Sequence, residues 1–347
     1  MNKPAGTAWR LRTAYLKSHR GKSLIGRVTL GAATIMLAAV LGGCGGGGGG
    51  GSSGPAPNTS YPTVSNSVTN SANGGVTTNY SKTANILKPE SGLVSVSLNA
   101  PAKSVSIAVS IPPIDPAFNF TVGLAALVPL GNSPLNSCPT CLRAGPTTAV
   151  PDGQPVSFIY LDPSIAGLAY STLGLWSKPT TSPAGSEVGA AFSIGVVTRP
   201  QDLPIFGSQT YNGFMVGRFS NGSKTYAVSA DVTAVVTFSV TGSLVNFTTT
   251  NTRIAEESGS GALDLVLPAL APALDLTSSA PMTYSGSSTN SVKGDLTRLI
   301  GGNMTGPVTA KYYGPPTGPG ATPAEFGGAF FVGSGTEQMN GSFALKK

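Results

Sequence analysis

The sequence predicts an all-β protein, with a C-terminal eight-stranded antiparallel up-and-down barrel preceded by a smaller, irregular β handle region. Three observations predict it. Charged residues make up only 10% of the chain, which also holds 46 Gly and 28 Pro; that mix disfavours helices and suits short strands joined by turns. Large apolar residues recur with period two, the spacing of a half-buried strand. Turn signals such as Asn221-Gly222, Thr241-Gly242 and Gly333-Ser334-Gly335 separate these runs at regular intervals.

Four segments follow in order: a leader at 1–43, a Gly/Ser/Thr/Asn-rich tether at 44–84, the handle at 85–205 and the barrel at 206–347. The tether has few large apolar residues and cannot bury enough surface to offset its ordering entropy. About 40 such residues would reach about 35 Å. In the handle, Val94, Val96 and Leu98 alternate with small or polar neighbours, and Val105, Ile107 and Val109 do the same after Asn99-Ala100-Pro101. That pattern predicts a hairpin. A Pro-rich stretch follows, then strands at 156–161, 170–176 and 190–197. Trp176 is expected in the core, because a large aromatic fills a small β core well.

Eight barrel strands are expected near 208–219, 224–238, 243–251, 261–268, 281–288, 304–313, 326–332 and 338–345. In the second, Tyr226, Val228, Val232, Val236 and Phe238 share one face, and Ser229, Asp231, Thr233 and Thr237 the other. Met339, Phe343 and Leu345 line up in the last. An eight-stranded lumen is just wide enough to be filled by side chains. The aromatic residues therefore read as lumen filler, and the threonine-bearing face is too polar for lipid.

The leader carries Lys3, Arg10, Arg12, Lys17, Arg20, Lys22 and Arg27 and no acidic residue. Leu30 to Leu41 is an apolar or small run, too short for a comfortable membrane span and suited to a signal-peptide core. It ends in Leu41-Gly42-Gly43-Cys44, followed by Gly45 to Gly51. This arrangement resembles the lipobox of bacterial lipoproteins. The resemblance implies cleavage before Cys44, acylation of its sulfur and a membrane partner through that anchor. Each buried methylene contributes about 0.8 kcal/mol, and stable anchoring takes more than one chain. The alternative is an uncleaved signal anchor with Cys44 as an ordinary buried thiol.

Composition excludes several functions. The chain has 21 Lys+Arg against 14 Asp+Glu, but seven of the basic residues lie in the leader. The remainder is balanced and gives no licence for a nucleic-acid surface. His19, the only histidine, is also in the leader. Ser-His-Asp and Cys-His machinery and histidine-held metals or haem are therefore not expected of the mature chain. Cys138 and Cys141 read Cys-Pro-Thr-Cys in a loop context and are expected to form a local disulfide clip; a redox site would need a strand–helix setting. Gly21-Lys22-Ser23 lacks the first glycine of a phosphate loop. Glu256-Glu257 sits in a Ser/Gly-rich turn and reads as a solvated hairpin loop. No catalytic residue, metal or cofactor is expected, and no ligand-binding residue can be named.

Three stretches carry a further resemblance. They are Leu203 to Gly217, Asp231 to Phe238, and Tyr312-Tyr313-Gly314-Pro315 with Ala324 to Phe330 and the closing Gly341-Ser342-Phe343. Together they resemble the barrel domain of transferrin-binding protein B and related surface lipoproteins. Gly213 and Gly217 would permit the close backbone approach such a barrel needs. Ala230 replaces the family's usual Gly, and this chain has one barrel where transferrin-binding protein B has two lobes. The resemblance implies a non-enzymatic binding module, anchored in the outer membrane and facing the cell surface, with the periplasmic face as the alternative. It would bind a protein or solute ligand, in iron or nutrient acquisition. The rival expectation is a structural or adhesive envelope lipoprotein without a pocket.

Overall fold

The structure is a computed structural model that describes residues 61–64, 75–99, 101–111, 115–129, 142–146, 153–180, 185–257, 269–284, 291–317 and 321–347. All lie in the unit Asn58–Lys347. The handle contains β1 (Gly75–Thr83), β2 (Ile86–Glu90), β3 (Leu93–Asn99), β4 (Ser104–Ile111), β5 (Asp115–Gly123), β6 (Val128–Pro129), β7 (Leu142–Pro146), β8 (Ser157–Leu161), β9 (Ser171–Pro179) and β10 (Glu187–Gly195). One short helix, α1 (Pro163–Ala166), follows β8, with the Asp162 side chain accepting from the Ser164 amide. The strands make a seven-stranded sheet in the order β2-β1-β10-β9-β8-β7-β6 and a three-stranded sheet β3-β4-β5.

The expected hairpin is present, with Val94, Val96 and Leu98 opposite Val109, Ile107 and Val105. One face of that small sheet packs on Phe158, Tyr160, Trp176 and Phe192 of the large one. Trp176 lies edge-on to Phe118 and Phe120, with centroids 5.9 and 5.6 Å away. The other face of the large sheet meets the barrel, where Leu173, Leu175 and Ala191 pack against Val216 and Ala344. Covering on both faces explains why β9 and β10 are buried along nearly their whole length.

The barrel comprises β11 (Gly207–Ser220), β12 (Thr225–Ser239), β13 (Gly242–Glu256), β14 (Ala269–Leu270), β15 (Leu276–Ser278), β16 (Met282–Tyr284), β17 (Val292–Arg298), β18 (Thr305–Thr317), β19 (Thr322–Ser334) and β20 (Glu337–Lys346). Each pairs antiparallel with its neighbours, and β20 returns to β11, which closes the sheet. β15 and β16 are two short pieces that together fill one position between β13 and β17. The barrel is thus eight positions round. Its interior is apolar, with Tyr211, Met215, Phe238, Phe247, Tyr312, Phe326, Phe330 and Phe343 among the filling. Phe247 and Phe343 approach to 4.9 Å between centroids. The expected faces of β12 and β20 are the ones observed.

Close approach explains Gly213 and Gly217. A Cβ at Gly213 would stand 2.3 Å from the Ala344 carbonyl oxygen, and one at Gly217 2.5 Å from that of Asn340. The backbones of β11 and β20 leave no room for one.

The structure corrects three sequence readings. The tether was expected to run to residue 84, but Gly75–Thr83 is β1, held between β2 and β10, and Val64 is buried in the handle core. Ser/Thr-rich composition concealed β1, whose amides are satisfied by neighbouring strands rather than by water. β17 was not expected. Its inward residues are Val292, Gly294 and Leu296 between Lys293 and Asp295, too few large apolar groups to mark a strand; Met282 occupies the space at Gly294. β5 lay hidden in the Pro-rich stretch. The strand expected at 261–268 lies outside the described residues, and of 281–288 only Met282–Tyr284 is described as strand.

The barrel has two distinct rims. One carries the chain entry at Leu203 to Phe206 and the β12–β13 turn at Val240-Thr241. The opposite rim carries the turns at Asn221 to Lys224, at Leu299-Ile300 and at Gly335. Asn221 builds its turn by accepting from the amides of Ser223 (3.0 Å) and Lys224 (2.8 Å), and Gly222 supplies the positive φ of 82°.

Candidate functional site: a charge-walled cleft

A cleft of about 480 Å³ opens between the handle sheet and the barrel at the Asn221 rim. Alternation along the strands determines what faces it. In β9, Leu175, Ser177 and Pro179 point toward the barrel, as do Ser157 and Ile159 of β8; in β12 the small Ala227 points out of the lumen. These residues make a floor of modest size. β1 presents Tyr80 and Lys82, β10 presents Glu187, β11 presents Arg218, and the end of β13 leads to Glu257.

Arg218 is the hub. Its Nε donates to Glu257 Oε1 at 2.8 Å and its Nη1 to the Tyr80 hydroxyl at 2.6 Å. It also pairs with Glu187 and, through Nη2, with the second Glu257 oxygen. Tyr80 in turn donates to Glu187 Oε1 at 3.1 Å, and Lys82 Nζ lies 2.8 Å from Glu187 Oε2. The Arg218 side chain is 11% exposed and that of Glu257 12%. Burial opposes the Arg218 charge, but the Glu257 carboxylate and the Tyr80 hydroxyl outweigh it and hold the guanidinium firmly protonated. Burial raises the Tyr80 hydroxyl. Burial, with the neighbouring Arg218, pushes the Lys82 ammonium down to about 8, with Glu257 acting the other way. At the mouth, Lys224 and Glu256 form a solvent-exposed pair at 2.8 Å. Asn85 Nδ2 donates to the Ser223 carbonyl at 2.8 Å, joining the β1–β2 turn to the barrel rim.

The handle and barrel are joined elsewhere by Glu325 of β19. This buried carboxylate accepts from the amides of Ala169 (2.6 Å) and Tyr170 (3.2 Å) and from the Ser171 hydroxyl (2.6 Å). Burial raises its pKa, and these hydrogen bonds act against the rise. Asn340 Nδ2 adds a 2.8 Å bond to Thr78 Oγ1, and Ser342 Oγ donates to the Gly174 carbonyl at 3.2 Å.

Cys44, Cys138 and Cys141 all lie outside the described residues. Glu256 and Glu257 are brought to the cleft mouth: Glu256 ends β13 and stays exposed, whereas Glu257 is mostly buried against Arg218, which corrects its reading as part of a solvated loop. Tyr80, Lys82, Glu187 and Arg218 were not singled out from the sequence. One signal existed. In a chain so poor in charge, a charged residue inside a strand, as Arg218 is between Gly217 and Phe219, marks either an exposed face or a paired buried one.

No family model matches the chain, and no curated protein matches it. Solved structures do. Intact Ap-TbpB with its N and C lobes aligns over 73% of this chain and 54% of its own length, at 13% identity and a TM-score of 0.36. A variant of transferrin-binding protein B from Haemophilus parasuis aligns over 73% of this chain and 53% of its own length, at 13% identity and the same TM-score. A protein of unknown function from Nostoc punctiforme aligns over 80% of this chain and 96% of its own, at 8% identity and a TM-score of 0.23. The chain spans about half the length of the transferrin-binding structures it matches. These likenesses are shallow, and the strand register establishes the fold without them.

Proposed function

We propose that the chain is a non-enzymatic surface lipoprotein, anchored in the outer membrane through Cys44, that binds a protein or solute ligand in the cleft at the Asn221 rim. The observation that carries the reading is the cleft itself. It has a small apolar floor at Ile159, Leu175 and Ala227, and a rigid wall bearing both charge signs. A few fixed polar groups over an apolar floor are the usual make-up of a ligand site. Paired charges of both signs favour a ligand that itself carries both, such as an amino acid or a peptide segment. Supply of iron or another nutrient is one role for such a module.

The test is thermal unfolding of the purified full chain against a panel of amino acids, short peptides, organic acids and sugars, in parallel with Ala227→Phe, which fills the floor. At least one compound is expected to raise the Tm of the parent and leave A227F unmoved. A panel that shifts neither, or both equally, removes the cleft as a binding site and leaves the structural or adhesive role.

A further inference from the structure

We propose that the rim opposite the cleft docks on an anionic phospholipid surface. The patch is read from the fold; the proposal rests on the Cys44 anchor only for how the chain is brought to the membrane. Ile205 and Phe206 stand 58% and 74% exposed just before β11, and Val240 is 80% exposed in the β12–β13 turn. Gly207 pairs with Phe238, so Phe206 lies beside that turn. Leu244, 47% exposed, follows on the next strand. It faces outward in one cross-strand row with Thr283 and Lys293.

The N-terminal chain enters at this same rim. Tyr61 donates its hydroxyl proton to Asp202 at 2.5 Å and accepts from the Arg199 amide at 3.1 Å. The Arg199 guanidinium lies 5.4 Å from the Tyr61 ring centroid. Leu203, next to Asp202, packs against the barrel core and so fixes the start of the Pro204-Ile205-Phe206 run. The chain from Cys44 to Tyr61 is short enough that even fully extended it spans at most about 60 Å. An acylated Cys44 would keep the rim close to lipid, where tethering converts a weak contact into a persistent one.

Charge favours an anionic surface. Arg199, Lys293, Lys346 and Lys347 are the cations on this side. Lys346 Nζ donates to the Ala166 carbonyl at 2.9 Å and Lys347 Nζ to that of Thr322 at 2.8 Å, both bonds to neutral oxygens. The acidic groups here are Asp202, bonded to Tyr61, Asp162, bonded to Ser164 at the start of α1, Asp295, two residues along β17 from Lys293, and Glu325 in its buried clamp; bonds to neutral partners cancel none of these charges, so the four cations exceed the three surface carboxylates by one. Apolar side chains flanked by cations bind an anionic interface by shallow insertion plus electrostatic attraction. Thr233 and Thr237 on the outer wall keep that insertion shallow. The opposite rim also exposes an apolar pair, Leu299 (51%) and Ile300 (56%), but beside Glu337, which pairs with Arg298 at 2.9 Å, and on the rim that carries Glu256 and Glu257.

The test uses the full chain purified from bacterial membranes and reconstituted into phosphatidylethanolamine–phosphatidylglycerol vesicles with or without brominated acyl chains. Phe206→Trp and Ile300→Trp are each compared with the parent, whose Trp176 is buried. Flotation reads the anchor; quenching reads the docking. The expected result is flotation with at least about threefold more quenching of F206W than of I300W, reduced by Arg199→Glu with Lys293→Glu. Flotation with equal or reversed quenching overturns the proposal. Chains that do not float overturn the anchor reading, and docking then stands only if added brominated vesicles still quench F206W selectively.

Discussion

Replacing Arg218 with Met should destabilise the protein by about 3–5 kcal/mol, the cost of breaking a buried pair by removing one partner. The structure gives the reason for that size. Glu257 loses both guanidinium bonds and is left 12% exposed. Tyr80 loses its donor, and Glu187 keeps Lys82 and the Tyr80 hydroxyl. Glu257→Gln alone should cost less, about 1–3 kcal/mol, because Arg218 retains Glu187 and Tyr80. The double variant should cost less than the sum of the singles by about 1–3 kcal/mol, since the unpaired carboxylate is gone. Urea unfolding of the full chain, followed by Trp176 emission, measures the cycle. Thermal unfolding should show a Tm loss of roughly 6–20 °C for R218M. A loss below about 1 kcal/mol for R218M, or singles that simply add, would refute the picture of a dry, mutually dependent cluster.

Other predictions test other parts. Phe343→Ala empties the centre of the barrel lumen and should cost about 3–5 kcal/mol by urea unfolding, whereas an effect under about 1 kcal/mol would argue against a packed interior. Gly213→Ala should cost about 1–3 kcal/mol, because its Cβ has nowhere to go between β11 and β20. Glu325 predicts a pH dependence. Its native pKa is raised, so its contribution is fully present below the usual carboxylate range and is lost as pH rises through the native value. Glu325→Gln should remove that slope, and parallel slopes in urea-unfolding titrations would contradict the assignment. Cys44→Ala should shift the chain out of the membrane fraction and abolish the acyl mass on the N-terminus, read by intact mass spectrometry.

Much of the fold was legible because half-buried strands write their faces in period two. β12 states this with Tyr226, Val228, Val232 and Val236, and its neighbour β11 is bracketed by glycines and Asn221-Gly222. β17 was not legible, because its lumen position is filled from Met282 on the next strand, which lets Gly294 stand where a large residue would otherwise be required. β1 was missed for a different reason. Beside Val76 and Tyr80 its residues are Gly, Thr, Asn, Ser and Lys, and burial between two strands and against Asn340 of the barrel is a tertiary fact. The cleft was illegible for the same reason. Tyr80, Glu187 and Arg218 come from three strands and Glu257 from just past the end of a fourth, spread over nearly 180 residues, and only the closing of the handle on the barrel brings them together. The anchor proposed at Cys44 rests on local order alone, a basic leader, an apolar run and a small-residue cleavage site, and lies outside the described residues.

The central claim is that the chain is displayed from a membrane with its cleft outward and its Phe206 rim inward. Labelling of intact cells with a membrane-impermeant maleimide tests it directly, using Lys224→Cys at the cleft mouth and Val240→Cys at the opposite rim. The account predicts rapid labelling of K224C and protection of V240C until the membrane is dissolved. Equal labelling of both would contradict the orientation, and labelling of neither without cell lysis would contradict surface display.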